Sequence, residues 1–126
     1  MRLLALIMIA LIGALHSYIA WFEIFAWETR GPEIFSSFPA ELFPETTVLA
    51  ANQGLYNGFL AAGLFWSLII KDRQWSGNVA LFFLLCVAVA GIFGAFTASP
   101  QILIVQTVPS VIALALLILS RRTADA

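Results

Sequence analysis

Residues 48–63, VLAANQGLYNGFLAAG, combine an apolar helix with a run of polar side chains, and the fold has to accommodate both. The stretch carries Asn52, Gln53, Tyr56 and Asn57 among alanines, leucines and glycines. Lipid offers no water to satisfy such groups, so in a membrane they need polar partners on neighbouring helices. The first question is whether the chain lies in a membrane, and the second is what the amides contact.

The composition favours a membrane protein. Of the 126 residues, 62% are hydrophobic and 10% are charged, and the formal net charge is −1. A soluble domain of this length cannot bury so much apolar surface, so the lipid bilayer is the expected surrounding. Nucleic acid is excluded as a partner because the few cations form no clustered basic face. A single cysteine, Cys86, leaves no disulfide framework and no cysteine metal site.

Four segments are long and apolar enough to cross a membrane, which takes about 20 such residues in helical form. They cover residues 3–27, 46–70, 78–98 and 101–120. We therefore predict an all-α protein in which residues 1–126 form a single domain, a bundle of four transmembrane helices. A cleaved signal peptide is the alternative for the first segment, but its apolar run is too long and no clear cleavage site follows it.

The cations predict the orientation of this bundle. Only Arg30 falls on one side of a four-span chain. The other side collects Arg2, Lys71, Arg73, Arg121 and Arg122. The positive-inside rule then places both termini in the cytoplasm. The predicted location is the inner membrane of the cell, which the chain crosses several times.

The first outward loop is not a plain linker. Phe35, Phe38, Leu42 and Phe43 alternate in it with serines and a glutamate. This pattern predicts a short helix that lies at the membrane interface. A loop resting on lipid headgroups and a lid over a cavity between the helices are the other interpretations.

Small residues predict how the second and third helices pack. In the second segment they recur every four positions, at Ala50, Gly54, Gly58 and Ala62. The third segment repeats the pattern at Cys86, Ala90, Gly94 and Ala98. Such ridges let helix backbones approach closely, so we predict that the two helices pack ridge to ridge. A homodimer contact through one of the ridges is the alternative.

The first segment carries two ionisable residues at membrane depth. His16 and Glu23 are seven residues apart, so they share one helix face about 10 Å apart along the axis. Such groups are costly in lipid and indicate a functional site unless packing explains them. Counting helical rise from the span ends puts Asn57 near the depth of His16, and Asn52 and Gln53 near that of Glu23.

The polar residues collect in the outer half of the predicted bundle, and the inner half is almost purely apolar. This asymmetry predicts a pocket that opens outward, whereas a pore would need polar groups at both ends. The predicted ligand-binding residues are His16, Glu23, Asn52, Gln53, Tyr56, Asn57 and Gln106. Amides that only join helices to one another are the competing interpretation.

Several of these stretches together resemble a known family. LHSYIAWFEIFAW, ANQGLYNG, AGIFGAFT and ILIVQTVPSVIALALL are similar to the bacterial membrane family called domain of unknown function 1304. The resemblance covers nearly the whole chain and implies a four-span membrane protein without an assigned activity. The family pattern has an acidic residue before the histidine of the first span, where this chain has Leu15. Glu23 and the amide run match the pattern.

Three functions are compatible with the sequence. The first is a protein that binds or transports a small amphipathic molecule, with Glu23 as the proton-coupled group. The second is a membrane-embedded enzyme that uses His16 and Glu23 as acid and base on a lipid-like substrate. The third is an accessory subunit without a ligand. The chain lacks H-E-x-x-H, G-x-S-x-G and a nucleotide-binding loop, so we do not favour an enzyme, and we expect neither a metal nor another cofactor.

Overall fold

The computed structural model of the protein describes residues 1–122. These residues form helices joined by short links, and they contain no strand. In chain order the α-helices are α1 (Arg2–Phe25), α2 (Trp27–Ile34), α3 (Leu42–Glu45), α4 (Thr47–Ile69), α5 (Arg73–Thr97) and α6 (Val108–Arg122), with a π-helical turn over Leu103–Thr107 before α6. The predicted all-α class is confirmed.

Three stretches of helix in the described part of the chain are long and apolar enough to cross a membrane: Arg2–Phe25, Arg73–Thr97 and Leu103–Arg121. These helices are typical of a membrane protein. The helix α4 is 23 residues long but is not among them. Its three amides, at Asn52, Gln53 and Asn57, lower the mean hydropathy below that of the other long helices.

The helix α1 has its most extensive contact with α4. It runs along α4 and also contacts α6, and α5 packs against both α4 and α6. A core of small and branched side chains forms where these helices meet, at Ala5, Ile9, Ile12, Leu64, Ala80, Leu84, Val87, Ala113 and Leu117. Hydroxyls also join the last two helices, because Ser110 donates to the carbonyl of Leu84 and Thr107 to that of Ala88.

The small residues pack differently from the prediction. Gly54 faces α1, where an added Cβ would stand 3.0 Å from the carbonyl oxygen of Ala20, and Gly58 lies nearest to the same alanine. Ala62 and Ala90 are exposed. The predicted ridge-to-ridge contact is therefore wrong. The physical reason is that α1 offers Ala20 as a complementary small residue.

Glycines on α4 and α5 also contact other partners than those predicted. Gly94 of α5 faces Ile102, in the link that follows α5, and does not face α4. The contact between α4 and α5 instead seats the ring of Phe83 on Gly63, where an added Cβ would overlap it. A large side chain on a glycine thus replaces the predicted approach of two small ridges.

Two predicted helix ends need correction. The first helix ends at Phe25, because the backbone bends at Ala26 before α2 begins. The third predicted span corresponds to α5, which begins at Arg73, five residues before the predicted start at residue 78. There the side chain of Asp72 accepts a hydrogen bond of 2.7 Å from the backbone N–H of Trp75. The charged run KDRQWSG, residues 71–77, lies between two predicted spans, but it contains this N-cap and the first turn of α5.

The loop after α1 folds into an aromatic cluster. Its two short helices, α2 and α3, flank the turn in which the interfacial helix was predicted. The ring of Trp27 lies 5.2 Å from that of Phe43 and 5.8 Å from that of Phe35, measured between centroids. The indole of Trp27 donates to the hydroxyl of Thr46. Phe43 covers Gly31, where any side chain would overlap its ring.

Proline explains the π-helical turn that precedes α6. Pro109 has no N–H to donate to the carbonyl four residues earlier. The N–H of Val108 bonds instead to the carbonyl of Leu103, five residues back. Such a turn inserts one extra residue and rotates the side chains before it, and π-turns recur at functional sites. Gln106 lies within this turn.

Candidate functional site

A side-chain pair joins the first and the second long helices. Nδ2 of Asn57 donates to Oε2 of Glu23 over 2.8 Å. The two helices approach closely here because Gly54 and Gly58 present no side chain to α1. Nδ2 of Asn57 also lies 3.3 Å from the backbone carbonyl of Gln53. Each amide proton thus has an acceptor, which holds the Asn57 side chain in one orientation.

Glu23 also lines a cavity of about 390 Å³. The cavity lies between α1, the aromatic loop and the link from α5 to α6. Its polar lining consists of Glu23, Ser99, Gln101 and Gln106. Its apolar lining consists of Leu15, Tyr18, Ile19, Phe22, Ile34, Phe35, Ile102 and Val105. A cavity of this volume lies within the range typical of small-molecule sites, with a few polar groups in an apolar wall.

The polar groups of the link are themselves arranged by hydrogen bonds. The hydroxyl of Ser99 donates to Oε1 of Gln101 over 2.5 Å. The side-chain amide nitrogen of Gln101 remains the donor of that residue. The cavity therefore combines one carboxyl group with amides that can both donate and accept.

His16 is separate from this cavity. It is fully buried, and it is not one of the lining residues. Its Nδ1 lies 2.9 Å from the backbone carbonyl of Ile12. Because a carbonyl oxygen only accepts, Nδ1 carries the proton of that hydrogen bond. Nε2 is buried and has no hydrogen-bond partner among residues 1–122.

Three of the predicted binding residues point away from the fold. Asn52, Gln53 and Tyr56 are exposed on α4, and none of them lines the cavity. The structure thus brings Glu23 together with Asn57 by a hydrogen bond and with Gln106 in one cavity. It leaves His16 in the core and the other three on the outer face of α4.

Sequence reasoning missed part of the cavity wall. Leu15, Ile19 and Phe22 follow each other at helical spacing beside Glu23, so the pattern of the first segment could have indicated them. Tyr18 belongs to the same stripe, three residues after Leu15 and four before Phe22, so the pattern could have indicated it as well. Ile34 and Phe35 belong to the first outward loop, for which a lid over a cavity was one of the interpretations, but the sequence does not indicate which side chains of the loop reach the cavity.

These features define a small helical protein of membrane type with a partly polar cavity near one end of its helices. Comparison with known proteins places it more narrowly. The chain belongs to the family described as protein of unknown function (DUF1304), whose model matches residues 10–118. The family assignment made from the sequence is thereby confirmed.

One curated relative is similar over most of its length. It is the uncharacterized protein YpaA of Lactococcus lactis subsp. lactis (strain IL1403), which is 24% identical over 116 residues. The aligned part is 90% of this chain and 96% of the relative. No solved structure matches the chain.

Proposed function

We propose that the protein crosses the membrane four times and binds a small amphipathic molecule in the cavity beside Glu23. The observation that carries the proposal is the lining of that cavity. A carboxyl group held by Asn57 faces a mostly apolar space of about 390 Å³. Such a space fits a molecule with an apolar body and a head group that is cationic or donates hydrogen bonds.

The four-span arrangement rests on the length and packing of α4. Its 23 residues correspond to about 35 Å of helix, which exceeds the hydrocarbon thickness of a bilayer. It also lies along α1, a helix of membrane length. One of its amides, at Asn57, is paired within the fold and therefore costs less in lipid than an unpaired amide.

The proposed orientation places the cavity on the outer side. Arg2, Arg73 and Arg121 line one small space, so the cations from three helices lie at the same end of the molecule. The Glu23 cavity is formed at the other end, by the last turns of α1 and the link after α5. The positive-inside rule then puts the arginines in the cytoplasm and the cavity outside.

The enzyme hypothesis has less support. It needs His16 and Glu23 on one substrate, but only Glu23 lines the cavity. Transport remains an extension of the binding proposal, in which Glu23 exchanges a proton for the ligand. The accessory-subunit hypothesis differs from both because it requires no bound molecule.

A second copy of the chain is the proposed partner in the membrane. Asn52, Gln53 and Tyr56 are exposed on α4 at membrane depth. Unpaired amides in lipid are costly, and amide groups pair well with each other because each both donates and accepts. A homodimer through this face of α4 would satisfy them.

The test is native mass spectrometry of the gently purified protein with extraction of any bound small molecules. Wild type is compared with Glu23→Gln and with Glu33→Gln, a matched change at an exposed glutamate outside the cavity. We expect wild type and Glu33→Gln to retain a defined molecule and Glu23→Gln to lose it. The same spectra report whether two copies travel together. Bulk lipid alone on all three proteins would contradict the binding proposal.

A further inference from the structure

Three arginines from three helices meet at the end of the molecule that is opposite the Glu23 cavity. Arg2 begins α1, Arg73 begins α5 and Arg121 lies in the last turn of α6. All three line a space of about 20 Å³. The described lining of this space contains no aspartate or glutamate. The positive charges are thus brought together without a carboxylate between them.

One of these guanidinium groups is held in a fixed place. The Arg121 side chain lies on Gly77, where an added Cβ would stand 2.9 Å from Cζ and overlap the group. Its Nη2 is buried and has no hydrogen-bond partner among residues 1–122. A buried charged donor without a partner is costly. The position therefore calls for an acceptor that the described chain does not supply.

The neighbouring groups do not provide that acceptor. Nη2 of Arg73 lies 3.5 Å from the carbonyl oxygen of Ser120, at the end of α6. The hydroxyl of Ser76 donates to the carbonyl of Ser67. The carboxylate of Asp72 is exposed and caps the backbone N–H of Trp75. The carbonyls of Ser67 and Ser120 and the carboxylate of Asp72 thus accept from other groups.

We propose that this arginine cluster binds a phosphate group, with Arg121 as its buried contact and Arg2 and Arg73 on either side. A space of about 20 Å³ holds one oxygen-sized group, since a water needs about 10–15 Å³. One phosphate oxygen enters it, and the rest of the group stays at the surface of the bundle. Guanidinium groups carry a permanent positive charge and form strong charge-assisted hydrogen bonds to phosphate oxygens.

Such a phosphate has two sources. The cluster lies at the ends of helices of membrane length, where the headgroups of a bilayer are found. Basic pockets between membrane helices bind acidic lipid headgroups. A free phosphate ion or phosphate ester offers the same oxygens from the aqueous side. Both sources offer the same phosphate oxygens to the arginines. The affinity of the protein for the lipid and for the free phosphate distinguishes them.

The experiment measures thermal unfolding of the full chain in a neutral detergent by tryptophan fluorescence. Phosphatidylglycerol, diacylglycerol and inorganic phosphate are titrated separately at one ionic strength. For wild type we expect saturable stabilisation by phosphatidylglycerol or by inorganic phosphate. Saturation at a lower concentration identifies the source. Stabilisation by diacylglycerol, which has no phosphate, at the same concentration would show a general lipid effect and overturn the proposal.

Variants separate the site from the overall positive charge. Arg121→Gln is expected to need at least tenfold more of the stabilising compound. Arg2→Gln, at a half-buried residue in the first turn of α1, is expected to need several-fold more, and it keeps the test valid if the Arg121 variant does not fold. Lys71→Gln is the matched control, because Lys71 is exposed and does not line the space. An equal loss in Lys71→Gln, or no loss in Arg2→Gln and Arg121→Gln, overturns the proposal.

A shortened chain tests for an internal occupant. Asp125 follows Arg121 four residues later. We expect a chain of residues 1–122 to bind the stabilising compound as the full chain does. A response that appears only after the shortening would mean that the chain's own carboxylate takes the place, and the proposal would then be wrong.

Discussion

The hydrogen bond between Asn57 and Glu23 is the contact that gives the amide run a role inside the fold. Only one of the three amides of this run reaches a partner on another helix, and that partner is the only acid well inside a predicted span. The bond fixes the carboxyl group against α4 and leaves its other side to the cavity. The amide of Asn57 donates without carrying charge, so it positions the carboxyl group without adding a cation to the contact between the helices.

Replacing Asn57 with Ala is expected to destabilise the protein by about 1–3 kcal/mol, since the carboxyl of Glu23 loses its donor while it stays partly buried. The measurement is unfolding in a neutral detergent, followed by tryptophan fluorescence. Asn78→Ala is the control, because Asn78 is an exposed asparagine on α5. If the two variants lose equal stability, the hydrogen bond contributes nothing specific.

Sequence reasoning at this scale found the residues but not their partners. The seven-residue spacing puts His16 and Glu23 two turns apart on α1, yet His16 is buried in the core while Glu23 reaches a cavity. Depth counting paired Asn57 with His16, whereas the structure pairs it with Glu23. Helical spacing shows which residues share a face of a helix. Which neighbouring helix that face contacts depends on the packing of the whole bundle, and the spacing alone does not predict it.

At the scale of elements, the close approach of α1 and α4 depends on one glycine more than on a motif. Gly54 and Gly58 have the spacing of a G-x-x-x-G pair, but their surroundings differ. An added Cβ at Gly54 would stand 2.7 Å from Cγ1 of Ile24 and 3.0 Å from a backbone oxygen, whereas at Gly58 the nearest atom is 3.9 Å away. The first position has no space for a methyl group, and the second has.

Gly54→Ala is therefore expected to destabilise the protein by about 1–3 kcal/mol, because α1 and α4 must separate. Gly58→Ala is the matched control and is expected to leave stability unchanged or raise it by up to about 1 kcal/mol, since alanine favours the helix. Unfolding midpoints in detergent measure both. A similar loss in both variants would indicate a shared role of the pair, such as a dimer contact, in place of the packing described for Gly54.

The elements also show which signals are local and which are not. Apolar length located the long helices to within a few residues, because lipid and backbone hydrogen bonding impose it on each segment alone. The start of α5 was misplaced because Asp72 acts as a cap, a role that depends on one side chain in a charged run. The predicted partner of the small-residue ridge on α4 was also wrong. Every long helix of the chain carries small residues, so their spacing does not indicate which helix the ridge contacts.

For the whole molecule, the decisive question is whether α4 crosses the membrane. Three described helices meet the length and hydropathy of a span, and α4 falls short only in hydropathy. With four spans, the turn at Ser36 lies outside and the first turn of α5, at Gln74, lies inside. With three spans, the two positions lie on the same side, because only α4 separates them.

Single cysteines decide between these arrangements. Cys86 is first replaced with serine, because it is the only natural cysteine. Ser36→Cys and Gln74→Cys are then treated in intact bacterial cells with a thiol reagent that cannot cross the membrane. Both positions are exposed, so reactivity reports the side of the membrane. We expect Ser36→Cys to react at once and Gln74→Cys to react only in opened cells, because the paired amide of Asn57 and the length of α4 allow that helix to cross. Equal labelling in intact cells would leave α4 on one side of the membrane, and the outward cavity would then need a different explanation.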